Sequence, residues 1–140
     1  MRMTPAQIIV VAGLVWNKER VLICQRRIDD AFSGKWEFPG GKIEPEEKLQ
    51  DALVRELSEE LGIRAIIGAE VATIEHQYPG RSPVRLHFFD VLRFDGIPQN
   101  RIFHEVRWEL PQALGGYDFL EADKPLIARL VNGELSHRDS

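Results

Sequence analysis

The sequence predicts an α+β fold, a mixed sheet flanked by two helices, and three observations carry that prediction. Gln7 to Trp16 is an apolar run in which Ile and Val concentrate, as in a largely buried strand. Leu49, Leu53, Leu57 and Leu61 recur at every fourth residue, which puts them on one face of a helix. Further strand-like runs and a second helical pattern follow, separated by turn residues, with no repeat, linker or low-complexity segment; the order also admits an α/β class. At 140 residues the chain is long enough to bury a core and is read as one domain over residues 1–140.

Taken in order, Asn17 to Arg20 is a polar turn, and Val21 to Gln25 is the return strand of a hairpin. Ile28 to Lys35 is a polar loop. Trp36-Glu37-Phe38 is a short extended piece, because Pro39 biases Phe38 away from helix. Gly40-Gly41 reads as a tight turn. Pro45 opens a helix, with Glu46 and Glu47 in its first turn where carboxylates favour the dipole. The helix runs to about Leu61, and Gly62 closes it as a left-handed cap. A strand within Arg64–Gln77 is interrupted by Gly68. After the loop Tyr78–Pro83 come a strand over Val84–Phe94 and a short one around Val106-Arg107-Trp108. Pro111 to Gly116 is a connection with its own turn. Phe119 to Val131 is the second helix, ended by Asn132-Gly133, and the last residues are expected to fray.

Composition narrows the function classes. Charged residues make up 29% and hydrophobic ones 44%, an ordinary globular balance. The net charge of −4 disfavours a nucleic-acid-binding surface. It still admits an anionic small molecule held by metal ions or local arginines. The single cysteine, Cys24, excludes an intrachain disulfide and a thiolate metal cluster, and its apolar neighbours make it a core residue. No apolar run approaches the roughly 20 residues of a membrane span, and the N-terminus lacks the pattern of a secretory signal. The expectation is a cytoplasmic protein with no membrane partner.

The chemistry concentrates on the first helix. Glu56 and Glu60 fall inside the apolar arc, between Ala52 and Leu53 on the helical wheel. Carboxylates facing a core are costly unless a cation compensates them, and a divalent metal is the simplest such cation. Glu56, Glu59 and Glu60 are spaced i, i+3 and i+4, which predicts that their heads converge. Oxygen ligands suit Mg²⁺ or Mn²⁺, and the absence of His or Cys among them disfavours zinc. Gly40-Gly41 would let backbone approach a metal or phosphate closely. Together these are the minimum equipment for metal-assisted phosphoryl hydrolysis. A solvated acidic helix with Glu–Arg pairs is the competing reading. It fits Asp51, Arg55 and Glu59 on the outer edge, but fits Glu56 and Glu60 poorly.

Gly41 through Ile63 resembles the Nudix box of the Nudix hydrolase family. Every defined position is matched: Gly41, Glu47, Arg55, Glu56, Leu57, Glu59, Glu60, Gly62 and Ile63. Trp36-Glu37-Phe38-Pro39-Gly40 looks like the segment leading into the box in the MutT-like branch, which acts on nucleoside triphosphates. The resemblance implies an α/β/α sandwich, with a mixed and a smaller sheet between helices. It implies Mg²⁺-dependent attack of water on a phosphorus of a nucleoside diphosphate linked to another group; in this branch the products are a nucleoside monophosphate and pyrophosphate. By position, the Gly40 carbonyl, Glu56 and Glu60 would hold metal, and Glu59 would be an additional ligand. Arg55 would orient the carboxylates, and Glu47 would be either a base candidate or the partner of Arg55. The general base differs among members and stays open.

Substrate reading is expected outside the box. Arg26 matches a phosphate- or base-contacting arginine, with a surface role after the strand as the alternative. Phe38 matches an aromatic lining the base pocket, with core packing its rival, and Glu37 joins it in the substrate-binding segment. Arg81 resembles a phosphate-contacting arginine. Asp123 stands where guanine-type sanitising enzymes tend to carry Asn; helix capping is its alternative. A carboxylate only accepts hydrogen bonds, so Asp123 would read the amine of cytosine or the N–H groups of guanine or 8-oxoguanine. Gln25-Arg26, Trp36-Glu37-Phe38 and Asp123 also resemble cytidine triphosphate pyrophosphohydrolases. Glu105 is the substitute for a further metal-binding or base Glu that several relatives carry at the position of Ile102. His104 stands beside it as a further candidate, and His76, His87 and His137 are assigned no role.

The expected activity is pyrophosphohydrolysis of a nucleoside triphosphate, 8-oxo-dGTP first, with a CTP or dCTP derivative as the alternative. The partner is this small molecule, with no stable nucleic-acid partner, and the protein is expected to be a monomer or weak homodimer. The box does not encode the leaving group, so a nucleoside-diphosphate-sugar or dinucleotide hydrolase also remains open. In a different class stands a non-catalytic nucleotide-sensing module. Such modules typically lose box carboxylates, and none is lost here.

Overall fold

In the computed structural model, residues 6–29 and 31–136 are described. His137 and the residues after it lie outside them. The frame is β1 (Ile8–Asn17), which pairs with three other strands. Its first part runs parallel to β6 (Val84–Asp95) and antiparallel to β4 (Gly40–Lys42), while Trp16 and Asn17 turn back onto β2 (Arg20–Gln25). β5 (Arg64–His76) completes the mixed sheet β4–β1–β6–β5. β2 lies between β3 (Trp36–Glu37) and β7 (Glu105–Glu109) in a smaller sheet.

Each face of these strands meets a different helix. Val11 and Val15 of β1, Leu22 and Cys24 of β2, and Phe89 and Val91 of β6 pack with Ala52, Leu53, Leu57 and Leu61 of α1 (Leu49–Leu61). Ala12, Leu14, Trp16, Val21, Ile23 and Phe88 pack with Leu126, Ile127 and Leu130 of α2 (Lys124–Val131). Strands buried on both faces read as continuous apolar runs, which is why β1 shows no alternation in the sequence. Cys24 is fully buried, as its neighbours predicted. β5 loses register with β6 between Ile66 and Ala72, around the interrupting Gly68. No described helix is long and apolar enough to cross a membrane.

Three boundaries differ from the sequence reading. α1 starts at Leu49, not Pro45. Glu46 takes a left-handed backbone conformation (φ 65°), and residues 44–47 form a separate turn in which Glu47 N–H donates to Glu44 O at 3.1 Å. Glu46 and Glu47 therefore do not lie in the first helical turn; Asp51 does. Gly40-Gly41 is not a tight turn but strand, with Gly41 opposite Val11. A Cβ on Gly40 would lie 1.9 Å from Val11 O, so two glycines here mark close strand approach. α2 begins at Lys124, after a 3₁₀ turn over Glu121–Asp123. Pro125 has no N–H to donate and sits in the first turn, where none is needed. Phe119 instead bridges to Trp36.

Candidate active site

α1 carries its acidic groups along one border of its buried face. Glu60 is only 8% exposed, and the side chains of Glu56 and Glu59 are 15% and 59% exposed. Glu60 Oε1 accepts the Gly40 N–H at 3.1 Å. Glu56 rests on Gly41, where an added Cβ would fall 2.5 Å from its Cδ. The strand that brings Gly40 and Gly41 beside β1 thus forms the floor for both carboxylates. A Gly41→Ala variant is expected to displace Glu56 and lower kcat about a hundredfold, the scale of a misplacement near 1 Å, with the far-UV spectrum unchanged. Steady-state rates with Mg²⁺ check this.

Arg55 binds the site from the outer edge. Its Nε and Nη2 donate to the two Glu47 oxygens at 2.9 Å each, and Nη1 donates to Glu56 at 2.9 Å. Nη2 also reaches Lys42 O at 3.2 Å. Glu47 is held down at about 2 by Arg55 and by the Glu44 N–H, and Arg55 is raised in turn. So Glu47 stays ionised and committed to Arg55. The separate 44–47 turn exists to deliver it.

Burial pushes Glu60 up to about 9, with the Glu56 charge adding to the effect. Burial also raises Glu56, against the pull of Arg55. Two largely buried carboxylates whose ionisation burial opposes fit a divalent cation with oxygen ligands. The predicted convergence of three carboxylates differs in detail. Among the described residues, no three His, Cys, Asp or Glu side chains form a ready cage, and Glu59 instead reaches Arg55 at 3.4 Å.

Beside Glu60 opens a cavity of about 770 Å³. It is lined by Arg26, Glu37, Phe38, Gly40, Arg81 and Asp123, so the substrate-binding candidates from the sequence all meet in one space. Arg26 is fixed there by Nη1 to Glu37 at 3.0 Å and Nε to Ala31 O at 2.8 Å. Phe38 is both wall and core: it lines the cavity while packing on Phe119 at 5.5 Å and Phe88 at 6.3 Å. Arg81 stacks over Phe32, 4.8 Å from its centroid.

Asp123 is 2% exposed and makes no capping hydrogen bond, so the capping alternative does not describe it. Burial, and then the Glu37 charge, raise its carboxyl well above the usual range. The protonated form that this shift favours donates as well as accepts, whereas the anion only accepts. Glu105 lies elsewhere: its carboxylate pairs with Arg107 on β7, away from the cavity lining.

Phe32, Tyr78 and Phe103 also line the cavity and were not singled out in the sequence. Tyr78 packs tilted against Phe32 with centroids 4.6 Å apart, and its hydroxyl accepts the Ala122 N–H at 3.1 Å beside Asp123. Aromatic residues in otherwise polar loops were the available signal for Phe32 and Tyr78; Phe103 had none.

The NUDIX domain family model matches residues 6–130. The CTP pyrophosphohydrolase of Escherichia coli (strain K12) is 39% identical over 118 residues, covering 84% of this chain and 87% of the relative. The 8-oxo-dGTP diphosphatase of the same organism is 35% identical over 122 residues, covering 86% and 94%. The solution structure of the E. coli ORF135 protein aligns with a TM-score of 0.81 at 36% identity, covering 91% of each chain.

Proposed function

The chain belongs to the Nudix hydrolase family, whose members are generally divalent-metal-dependent enzymes, and we propose that it is a nucleoside triphosphate pyrophosphohydrolase acting on oxidised or non-standard nucleotides. Water adds to one phosphorus, a P–O–P bridge breaks, and a nucleoside monophosphate and pyrophosphate leave. The observation that carries this reading is the position of Glu60. Its buried carboxyl lines the same cavity as two arginines and a buried aspartic acid. That cavity offers a cation site at one wall, anion contacts at Arg26 and Arg81, and a polar reader at Asp123.

Glu56, Glu60 and the Gly40 carbonyl would hold Mg²⁺, or Mn²⁺ in its place, with Glu59 joining from the rim. The bound ion supplies charge neutralisation of phosphate oxygens and a lowered pKa for the attacking water. Arg55 keeps Glu56 aligned. Glu47 serves as its anchor, since its carboxylate is held ionised by that pairing. Arg26 and Arg81 take phosphate oxygens, Phe38 presents a flat apolar wall to the base, and Asp123 and Glu37 read the base edge. One domain carries both chemistry and recognition. It works in the cytoplasm, on free nucleotides, as a monomer or weak homodimer.

A second reading of the base rests on Asp123 and on the relative named CTP pyrophosphohydrolase. A neutral carboxyl can donate to N3 of cytosine and accept from its amine. A panel of normal and oxidised nucleoside triphosphates, scored by pyrophosphate release, separates the two readings. Either 8-oxo-dGTP or a cytosine nucleotide is expected to lead the panel in kcat/KM by at least about tenfold, the scale of base discrimination in a polar pocket. Faster turnover of a nucleoside-diphosphate sugar or dinucleotide than of every triphosphate would refute the proposal.

A further inference from the structure

The C-terminal carbonyls of a helix have no partners within it and must find them elsewhere. At the end of α1 one neighbouring segment supplies them. Gln99 N–H donates to Leu61 O at 2.8 Å, and Arg101 N–H to Glu60 O at 3.2 Å. Arg101 Nη1 donates to Ser58 O at 3.1 Å, an acceptor it shares with Gly62 N–H at 2.9 Å. The guanidinium lies against Gly62, where an added Cβ would sit 2.6 Å from Nη2. Gly62 therefore has two tasks: it takes the left-handed turn at φ 69°, and it leaves room for Arg101. A cation at this end also complements the helix dipole.

The same segment reaches the nucleotide cavity. Asn100 closes it into a tight loop: Oδ1 accepts Phe103 N–H at 2.8 Å, and Nδ2 donates to Phe103 O at 2.9 Å. His104 N–H then ties it to Gln25 O at 2.9 Å. Ile102 and Phe103 line the cavity that Glu60 also lines. The turn of α1 that Arg101 grips is the turn that carries Glu59 and Glu60. Helix ends fray first when their carbonyls are unpaired, and fraying here would swing Glu60 away from Gly40.

We propose that Arg101 is a positioning residue for the metal site: it fixes the last turn of α1 so that the Glu60 carboxylate stays against the Gly40 N–H. It touches neither substrate nor metal. The inference rests on the metal role proposed for Glu60. The test is Mn²⁺ binding to the nucleotide-free protein, read from the electron paramagnetic resonance signal of free Mn²⁺, with thermal melts in parallel. Arg101→Gln is expected to weaken Mn²⁺ binding about fivefold, the loss of one charge-assisted hydrogen bond. Arg101→Lys, which keeps the charge and a donor, is expected to recover part of that loss. A lowered melting temperature with unchanged Mn²⁺ affinity would overturn the proposal, since a merely structural cap gives that result. If the Gln variant does not fold, the Lys variant decides: about twofold weakening supports the proposal and wild-type affinity refutes it. Glu60→Gln serves as the reference. Wild-type Mn²⁺ binding in that variant would refute the metal role of Glu60 itself, a failure separate from that of Arg101.

Discussion

Glu60→Gln is expected to lose turnover on the order of a thousandfold, about 4 kcal/mol of transition-state stabilisation, while remaining folded. The two halves of this expectation have one cause. In the metal-free protein, burial and the neighbouring Glu56 charge hold Glu60 up at about 9, against 4.5 for a free glutamate. The group is therefore neutral at physiological pH, and a neutral amide of the same shape replaces it at little cost to folding. Its stabilising contribution is fully present below pH 4.5, where both folded and unfolded chains are protonated. It is lost as pH rises towards 9, because the unfolded chain ionises first. Melts of the metal-free wild type should show stability falling across that window, and the Gln variant should show a shallower fall. Divalent metal acts in the opposite sense. It binds the ionised pair, so binding releases protons and tightens with pH. Full Mg²⁺-dependent turnover in Glu60→Gln would sink the catalytic assignment. An unchanged stability slope would sink the electrostatic account of why this carboxyl waits for a cation.

Much of this arrangement is legible in the sequence because it is periodic. Leu49, Leu53, Leu57 and Leu61 announce the helix, and Glu56 and Glu60 are conspicuous because they interrupt its apolar face. What the sequence obscures depends on contacts across the chain. Pro45 and two glutamates look like a helix start, yet Arg55 takes Glu47 into a separate turn and the helix begins at Leu49. Gly40-Gly41 resembles a turn, yet both glycines are needed where strand β4 passes close to Val11 and under Glu56. The substrate candidates come from resemblance to a family and not from any pattern of their own. Loops have no period, so Phe32 and Tyr78 carry no comparable signal. The role of Arg101 lies furthest from view, because nothing in local sequence says that an exposed arginine closes a distant helix.

The raised pKa of Asp123, set by burial and then the Glu37 charge, is the other feature that only the fold determines, and it sets the second large expectation. Asp123→Asn should keep the base preference of the protonated wild type, because an amide and a neutral carboxyl both donate and accept. Asp123→Ala should lose about 2 kcal/mol of discrimination, on the order of thirtyfold in the ratio of kcat/KM between preferred and rejected bases. An ionised Asp123, which only accepts, would instead change its base preference on replacement by an amide. Burial, with the Glu37 charge, favours the protonated carboxyl over the anion. The neutral form matches an edge with one donor and one acceptor, such as N3 and the amine of cytosine, or O6 and N7–H of 8-oxoguanine. The ionised form matches two donors, such as N1–H and the amine of unmodified guanine. Since the folded pKa lies above the ordinary value, the neutral form prevails at lower pH and the ionised form appears as pH rises through it. Wild-type preference for a cytosine nucleotide over dGTP should therefore narrow as pH rises through that raised pKa, and the Asn variant should show no such narrowing. Ratios of kcat/KM for dGTP, 8-oxo-dGTP and CTP, measured across a pH series in the three proteins, test each step. An Ala variant with the wild-type ratio removes Asp123 from base reading. An Asn variant with inverted preference at neutral pH shows instead that Asp123 acts as an anion.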